Sequence, residues 1–101
     1  MNPATIYHRP LSEFAFATDA SHYVFRLRTG KGEARSCRFF YADRAAMAPE
    51  LDFACLPMKK IREDRYFDWY EVRLETKLER IAYWFELSDG AETVSYTHLR
   101  A

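Results

Sequence analysis

The chain has 101 residues, 49% hydrophobic and 17% aromatic, and its 15 basic residues balance 15 acidic ones to a net charge of zero. That length supports one core in one domain, burying roughly 60 to 70% of the unfolded chain's surface, and the aromatic content argues against disorder. Without net positive charge no field gathers nucleic acid or an anionic membrane, and no apolar run nears the roughly 20 residues that span a bilayer; a soluble, cytoplasmic chain with no nucleic-acid and no membrane partner is expected.

The chain opens on Ile6-Tyr7-His8-Arg9-Pro10, a Pro-ended aromatic segment, followed by the short alternation Phe14-Ala15-Phe16-Ala17. From Tyr23 to Thr29 a period of two sets Tyr23, Phe25 and Leu27 inward and Val24, Arg26 and Arg28 outward. Thr29-Gly30-Lys31-Gly32-Glu33 places two glycines in three residues, and glycine adopts positive φ at little cost, so a hairpin into Ala34 to Tyr41 is predicted. In that strand Cys37, Phe39 and Tyr41 share one face. Asp43 to Leu51 reads as a connection limited by Pro49. Phe53 to Lys60 is extended again, with Pro57, which cannot donate to a ladder, marking an edge or a bulge.

Arg62-Glu63-Asp64-Arg65 reads as a solvated turn. From Phe67 the alternation returns, with Tyr70, Val72 and Leu74 facing one way and Trp69, Glu71 and Arg73 the other. Ile81, Tyr83, Phe85 and Leu87 form the inward set of the next strand, and Ser88-Asp89-Gly90 turns the chain into a strand from Glu92 to Tyr96. About seven short strands without a sustained 3.6-residue apolar stripe make the fold class all-β, an immunoglobulin-like antiparallel β-sandwich.

Few residues invite chemistry. His8, His22 and His98 fall on separate segments without acidic residues at metal-ligand spacing, so no metal and no cofactor are expected. Cys37 and Cys55, lacking a CxxC context, read as two buried reduced thiols, with a disulfide between them as the other reading. Glu63, Asp64, Asp68, Glu71 and Glu75 are expected in turns or on an outward strand face, where they frame no cleft for an acid and base pair. The serines lack a nucleophile-elbow context. No catalytic residue is expected, and the chain is expected not to be an enzyme by itself. Trp69 and Trp84 fall on outward faces, where an aromatic ring beside Arg or Glu suits either the apolar face of a sugar or a protein interface. Tyr7, His8 and Arg9 bring together groups able to hydrogen-bond sugar hydroxyls or a partner domain.

The order of these segments resembles the amino-terminal domain of cyclomaltodextrinases, neopullulanases and maltogenic amylases, carbohydrate-binding module family 34. Beyond the opening, Pro57-Met58-Lys59-Lys60 is similar to the family's Met-containing strand with its basic end. Asp64-Arg65-Tyr66-Phe67-Asp68-Trp69-Tyr70-Glu71-Val72 resembles its Asp, Phe-Asp-Tyr-Trp and Glu-Val stretch, and Arg80-Ile81-Ala82-Tyr83-Trp84-Phe85-Glu86-Leu87 its Arg-rich Tyr-x-Phe strand.

The resemblance implies that residues 1–97 are a non-catalytic accessory domain preceding a family 13 glycoside hydrolase barrel that cleaves α-glucosidic bonds in cyclomaltodextrins, pullulan or starch. The implied partners are that barrel, a second subunit in a homodimer, and maltooligosaccharide or cyclodextrin, with dimerisation and substrate access as the domain's work. Tyr7, His8, Arg9, Asp43, Trp69 and Trp84 are the candidates for glucan or interface contact. Ala42-Asp43 stands where the family carries Gly-Asp followed by a Trp that is missing here, which argues against sugar stacking from this loop. Val94 to Ala101 stands where the family continues into another strand, and resembles a peptide translated from sequencing-adaptor DNA. Residues 98–101 are therefore expected to be a non-native tail of a fragment that lacks the last strand. The alternative is a free-standing immunoglobulin-like interaction module without sugar binding.

Overall fold

In the computed structural model, which describes residues 5–8, 14–43, 54–76 and 81–97, the alternating segments form eight strands. They are β1 (Ala15–Ala17), β2 (His22–Gly30), β3 (Ser36–Asp43), β4 (Ala54–Pro57), β5 (Lys59–Glu63), β6 (Phe67–Glu75), β7 (Ile81–Ser88) and β8 (Thr93–Thr97). Two four-stranded antiparallel sheets result, ordered β1-β2-β6-β5 and β4-β3-β7-β8. The fold is the immunoglobulin-like sandwich expected, with eight strands where about seven were read. Strands adjacent in sequence pair as β1-β2, β3-β4, β5-β6 and β7-β8, and each sheet is completed by a distant pairing, β2 with β6 or β3 with β7. Among the described residues no helix is long and apolar enough to cross a membrane.

The inward sets meet as the alternation requires. Phe25, Leu27, Tyr70, Val72 and Leu74 from the first sheet pack with Cys37, Phe39, Phe85 and Leu87 from the second. The Phe25 ring lies 4.6 Å from Phe39, which lies 5.6 Å from Phe85, so one aromatic file crosses the space between the sheets. Leu27, Phe39 and Leu87 retain no exposed surface, and burying each such side chain contributes roughly 1.5–3 kcal/mol. Val94 and Tyr96 of β8 pack at the margin of this cluster.

The glycine-rich segment after β2 does not close a hairpin. It is an arch that lifts the chain from one sheet to the other, because its donors are taken by β6 and the turn before it rather than by β3. Gly32, at φ 71°, donates its N–H to Asp68 Oδ2 at 2.9 Å, and Lys31 donates to the Tyr66 carbonyl at 2.9 Å. Arg35 then donates to the Ser88 carbonyl at 2.7 Å, opening the pairing with β7. Asp68 is therefore an exception among the acidic residues: it points inward and is 1% exposed. Lys60 and Lys31 bring their ammonium groups to 3.7 and 3.9 Å from its carboxylate.

Pro57 ends the edge strand β4, as its missing N–H predicts, and Met58 carries the chain across to β5 in the other sheet. Arg62 and Glu63 belong to β5, so the solvated turn is shorter than the charged run suggests. Its Asp64 accepts from the N–H groups of Tyr66 and Phe67 through Oδ1. The connection over 44–53 and the tail 98–101 lie outside the described residues.

The cysteines correct the reading of two buried thiols. Cys37 is buried, Cys55 is exposed, and both are free. Cys37 is in register with inward Leu87, whereas Cys55 is in register with outward Phe40, so the thiols sit on opposite faces of one sheet and no disulfide joins them. Burial, helped by the charge of Asp68, pushes the Cys37 thiol up to about 12. Titration of the folded protein at pH 8 with a thiol-reactive chromophore is expected to label Cys55 at once and Cys37 only on unfolding. Equal, rapid labelling of both in the folded state would contradict this packing.

Candidate functional site

The amino-terminal segment docks on β2 through a two-way backbone bridge, Tyr7 N–H to the Arg28 carbonyl at 2.8 Å and Arg28 N–H to the Tyr7 carbonyl at 2.9 Å. Successive residues of an extended chain point to opposite sides, so Tyr7 reaches the surface and His8 enters the core. His8 is 2% exposed. Its Nδ1 lies 2.7 Å from the Arg26 carbonyl oxygen and its Nε2 2.7 Å from the Tyr83 hydroxyl. A carbonyl only accepts, so Nδ1 carries a proton. Burial pushes the Tyr83 hydroxyl up to about 12, which keeps it protonated at neutral pH. The imidazole also packs 4.7 Å from the Phe85 ring. A candidate for glucan or interface contact beside Tyr7, His8 is instead a core histidine tying the amino-terminal segment to both sheets.

The two tryptophans lie on opposite outer faces of the sandwich. Trp84, on β7, stacks on cross-strand Phe40 with ring centroids 4.9 Å apart and planes 4° from parallel. Arg38 lies 5.5 Å over Phe40 and pairs with Glu86 on the same face. Trp69, on β6, is covered by the Arg62 guanidinium at 4.6 Å from its ring centre. Its cross-strand neighbour Arg28 sits between the rings of Phe67 at 4.1 Å and Tyr7 at 4.8 Å.

Of the six candidates, Tyr7 and Trp69 share a face, Trp84 stands apart and His8 is internal. Asp43 closes β3 with its backbone opposite Ile81, and Arg9 lies outside the described residues. Arg28, Arg62 and Phe67 join Tyr7 and Trp69, although sequence reasoning did not single them out. The outward alternation placed Arg28 and Trp69, but only the register sets them side by side.

The same face carries a charged row. Glu71 accepts from Arg26 Nε at 2.9 Å and from Arg73 Nε at 3.0 Å. Burial alone would raise its pKa, but these two hydrogen bonds and charges hold the carboxyl below its ordinary value of 4.5. At the edge of the row, His22 approaches Asp19 at 2.8 Å and is raised above its ordinary 6.5, first by that hydrogen bond and then by the charge. Among the described residues no group of three or more His, Cys, Asp or Glu is placed to hold a metal ion.

Comparison with known proteins gives this architecture a context. Residues 1–99 match the profile of the family described as alpha amylase, N-terminal ig-like domain. Neopullulanase 2 of Thermoactinomyces vulgaris is 34% identical over 82% of the chain, which corresponds to 14% of that protein. The cyclomaltodextrinase of Geobacillus thermopakistaniensis is 29% identical over 96% of the chain and 17% of its own length. Among solved structures, a cyclomaltodextrinase superposes on the whole chain and on 18% of itself with a TM-score of 0.80 at 25% identity. The chain thus spans less than a fifth of each of these relatives.

Two consequences of the site are measurable. Tyr83→Phe leaves His8 Nε2 buried without its hydroxyl and is expected to cost about 1–3 kcal/mol in urea unfolding; an unchanged midpoint would remove His8 from its central place. A carboxyl depressed in the folded state stabilises above its unfolded pKa, and that contribution fades as pH falls through the folded value. Stability should therefore decline below pH 4.5, and Glu71→Gln should flatten that acid limb while lowering stability at neutral pH. Parallel acid limbs in the two proteins would refute the role given to Arg26 and Arg73.

Proposed function

Because the chain belongs to the family of alpha-amylase N-terminal Ig-like domains, we propose that it is a non-catalytic accessory domain of an α-glucan hydrolase acting on cyclomaltodextrin, pullulan or starch. One observation carries the reading: the family match fills the chain, while the relatives named for such substrates extend far beyond it. The domain's contribution is spatial. It packs against the catalytic barrel, takes part in a homodimer, and narrows access to the active site.

The outer faces supply the means. Tyr7 and Trp69, with Arg28 and Arg62 over their rings, form one surface for a neighbouring domain or subunit, and Trp84 stacked on Phe40 forms another on the other side of the sandwich. A sugar ring offers an apolar C–H face to an aromatic ring, so we assign maltooligosaccharide or cyclodextrin contact to the Trp84 side. The exposed free thiol of Cys55 suits a reducing, cytoplasmic compartment.

A chimera tests the proposal. Residues 1–97 replace the amino-terminal domain of Neopullulanase 2, and the chimera is compared with the domain-deleted enzyme. The chimera is expected to sediment as a dimer and to retain the parent's preference for short over long α-glucans, both lost on deletion. A monomeric chimera with the preference of the deleted enzyme would overturn it.

A further inference from the structure

The outer face of the β1-β2-β6-β5 sheet carries a charge imbalance that the neutral chain as a whole does not. Arg26, Arg28 and Arg73 share it with Lys59 and Arg62 of β5, against the carboxylates of Glu71 and Glu75. Glu71 is already engaged by Arg26 and Arg73, and Glu75 lies 3.8 Å from His22. Arg28 and Arg62 form no close ion pair among the described residues, although the charge of Arg62 also acts on the nearby Asp64 carboxylate, and the buried Nε of Arg28 has no acceptor there.

These two guanidiniums are placed, not loose. Register puts Arg28, Trp69 and Arg62 in one row across β2, β6 and β5. Tyr7 and Phe67 flank the first and the Trp69 ring supports the second. With strands about 4.8 Å apart, the two arginines stand roughly 10 Å from each other across the row. Stacking occupies the faces of a guanidinium and leaves its in-plane edge for hydrogen bonding; with Nε of Arg28 buried, a carboxylate is received there end-on through the two Nη groups. The ordering cost of both long side chains is met before any partner arrives.

We propose that this face is a docking surface for an acidic protein segment, whose carboxylates pair with Arg28 and Arg62 on either side of Trp69. A neutral glucan answers neither charge. Moreover, the arginines cover ring faces of Phe67, Tyr7 and Trp69 on which a sugar would stack. Nucleic acid would meet a chain whose net charge is zero. The surface holds this chemistry whether or not the neighbouring domain is a glucan hydrolase, so its test is independent of the chimera.

The test follows 15N-resolved N–H signals of the whole chain, the Trp69 and Trp84 indoles and the Arg28 and Arg62 Nε groups. The probe is an acetylated, amidated Glu-Leu-Glu-Leu-Glu-Gly peptide, and the control is its Gln-Leu-Gln-Leu-Gln-Gly twin. Saturable shifts at Trp69, Arg28 and Arg62 with the acidic peptide alone, with Trp84 unmoved and affinity falling as salt rises, are expected. Arg28→Gln with Arg62→Gln should weaken binding about tenfold. Arg62→Gln alone, at the exposed edge strand, gives a smaller loss in the same direction and serves if the double variant does not fold. Equal response to both peptides, or unchanged affinity in the folded arginine variants, overturns the proposal. So does tighter binding at Trp69 of maltohexaose, which would make this face a glucan site, or of an oligothymidylate, which would make it a nucleic-acid surface.

Discussion

The pairing of β2 with β6, nine residues against nine from His22↔Glu75 to Gly30↔Phe67, is the constraint on which the rest of the domain depends. Side chains alternate with a period of two, so a slip of one residue would turn Phe25 and Leu27 outward and draw Arg26 and Arg28 into the core. Core and surface are thus specified by one register. The same alignment that meets Phe25 with Phe39 across the sandwich sets Arg26 beside Glu71 and Arg28 beside Trp69 on the outside.

Much of this was legible in the residue order. The inward sets of β2, β3, β6 and β7, the edge position of Pro57 and the turn at Ser88-Asp89-Gly90 follow from alternation and turn chemistry, which act over a few residues. What was misread depends on partners far along the chain. The Gly30-Lys31-Gly32 turn has local hairpin chemistry, and only Asp68, 36 residues from Gly32, makes it an arch. Within Tyr7-His8-Arg9-Pro10, His8 reads as a contact for sugar or a partner domain until Arg26 and Tyr83, 18 and 75 residues away, claim its two nitrogens. Cys55 looked like a buried hydrophobe, yet its register with Phe40 turns it outward.

The candidate residues separate into three environments instead of one site. His8 is sealed inside, where a polar ring with satisfied nitrogens joins β2 to β7, strands of opposite sheets. Tyr7 and Trp69 belong to an arginine-rich face, and Trp84 to an opposite face with a self-contained aromatic pair. A domain with two unlike outer surfaces can engage two neighbours at once without competition between them. That geometry suits a piece that lies between other parts of an assembly better than one that closes around a substrate.

The interleaving of the hairpins also sets the order in which the domain assembles. β1-β2 and β3-β4 leave the ribosome early, but their completing strands lie far downstream: Arg26 waits for Glu71, 45 residues later, and Arg38 for Glu86, 48 residues later. Neither sheet closes until β6 and β7 have been made, so Phe25, Leu27 and Phe39 remain uncovered until then. Non-local pairing of this kind slows folding and lengthens the interval in which sticky edges are open to other chains. In this topology the first two hairpins are apolar half-sandwiches that wait for β6 and β7 to cover them.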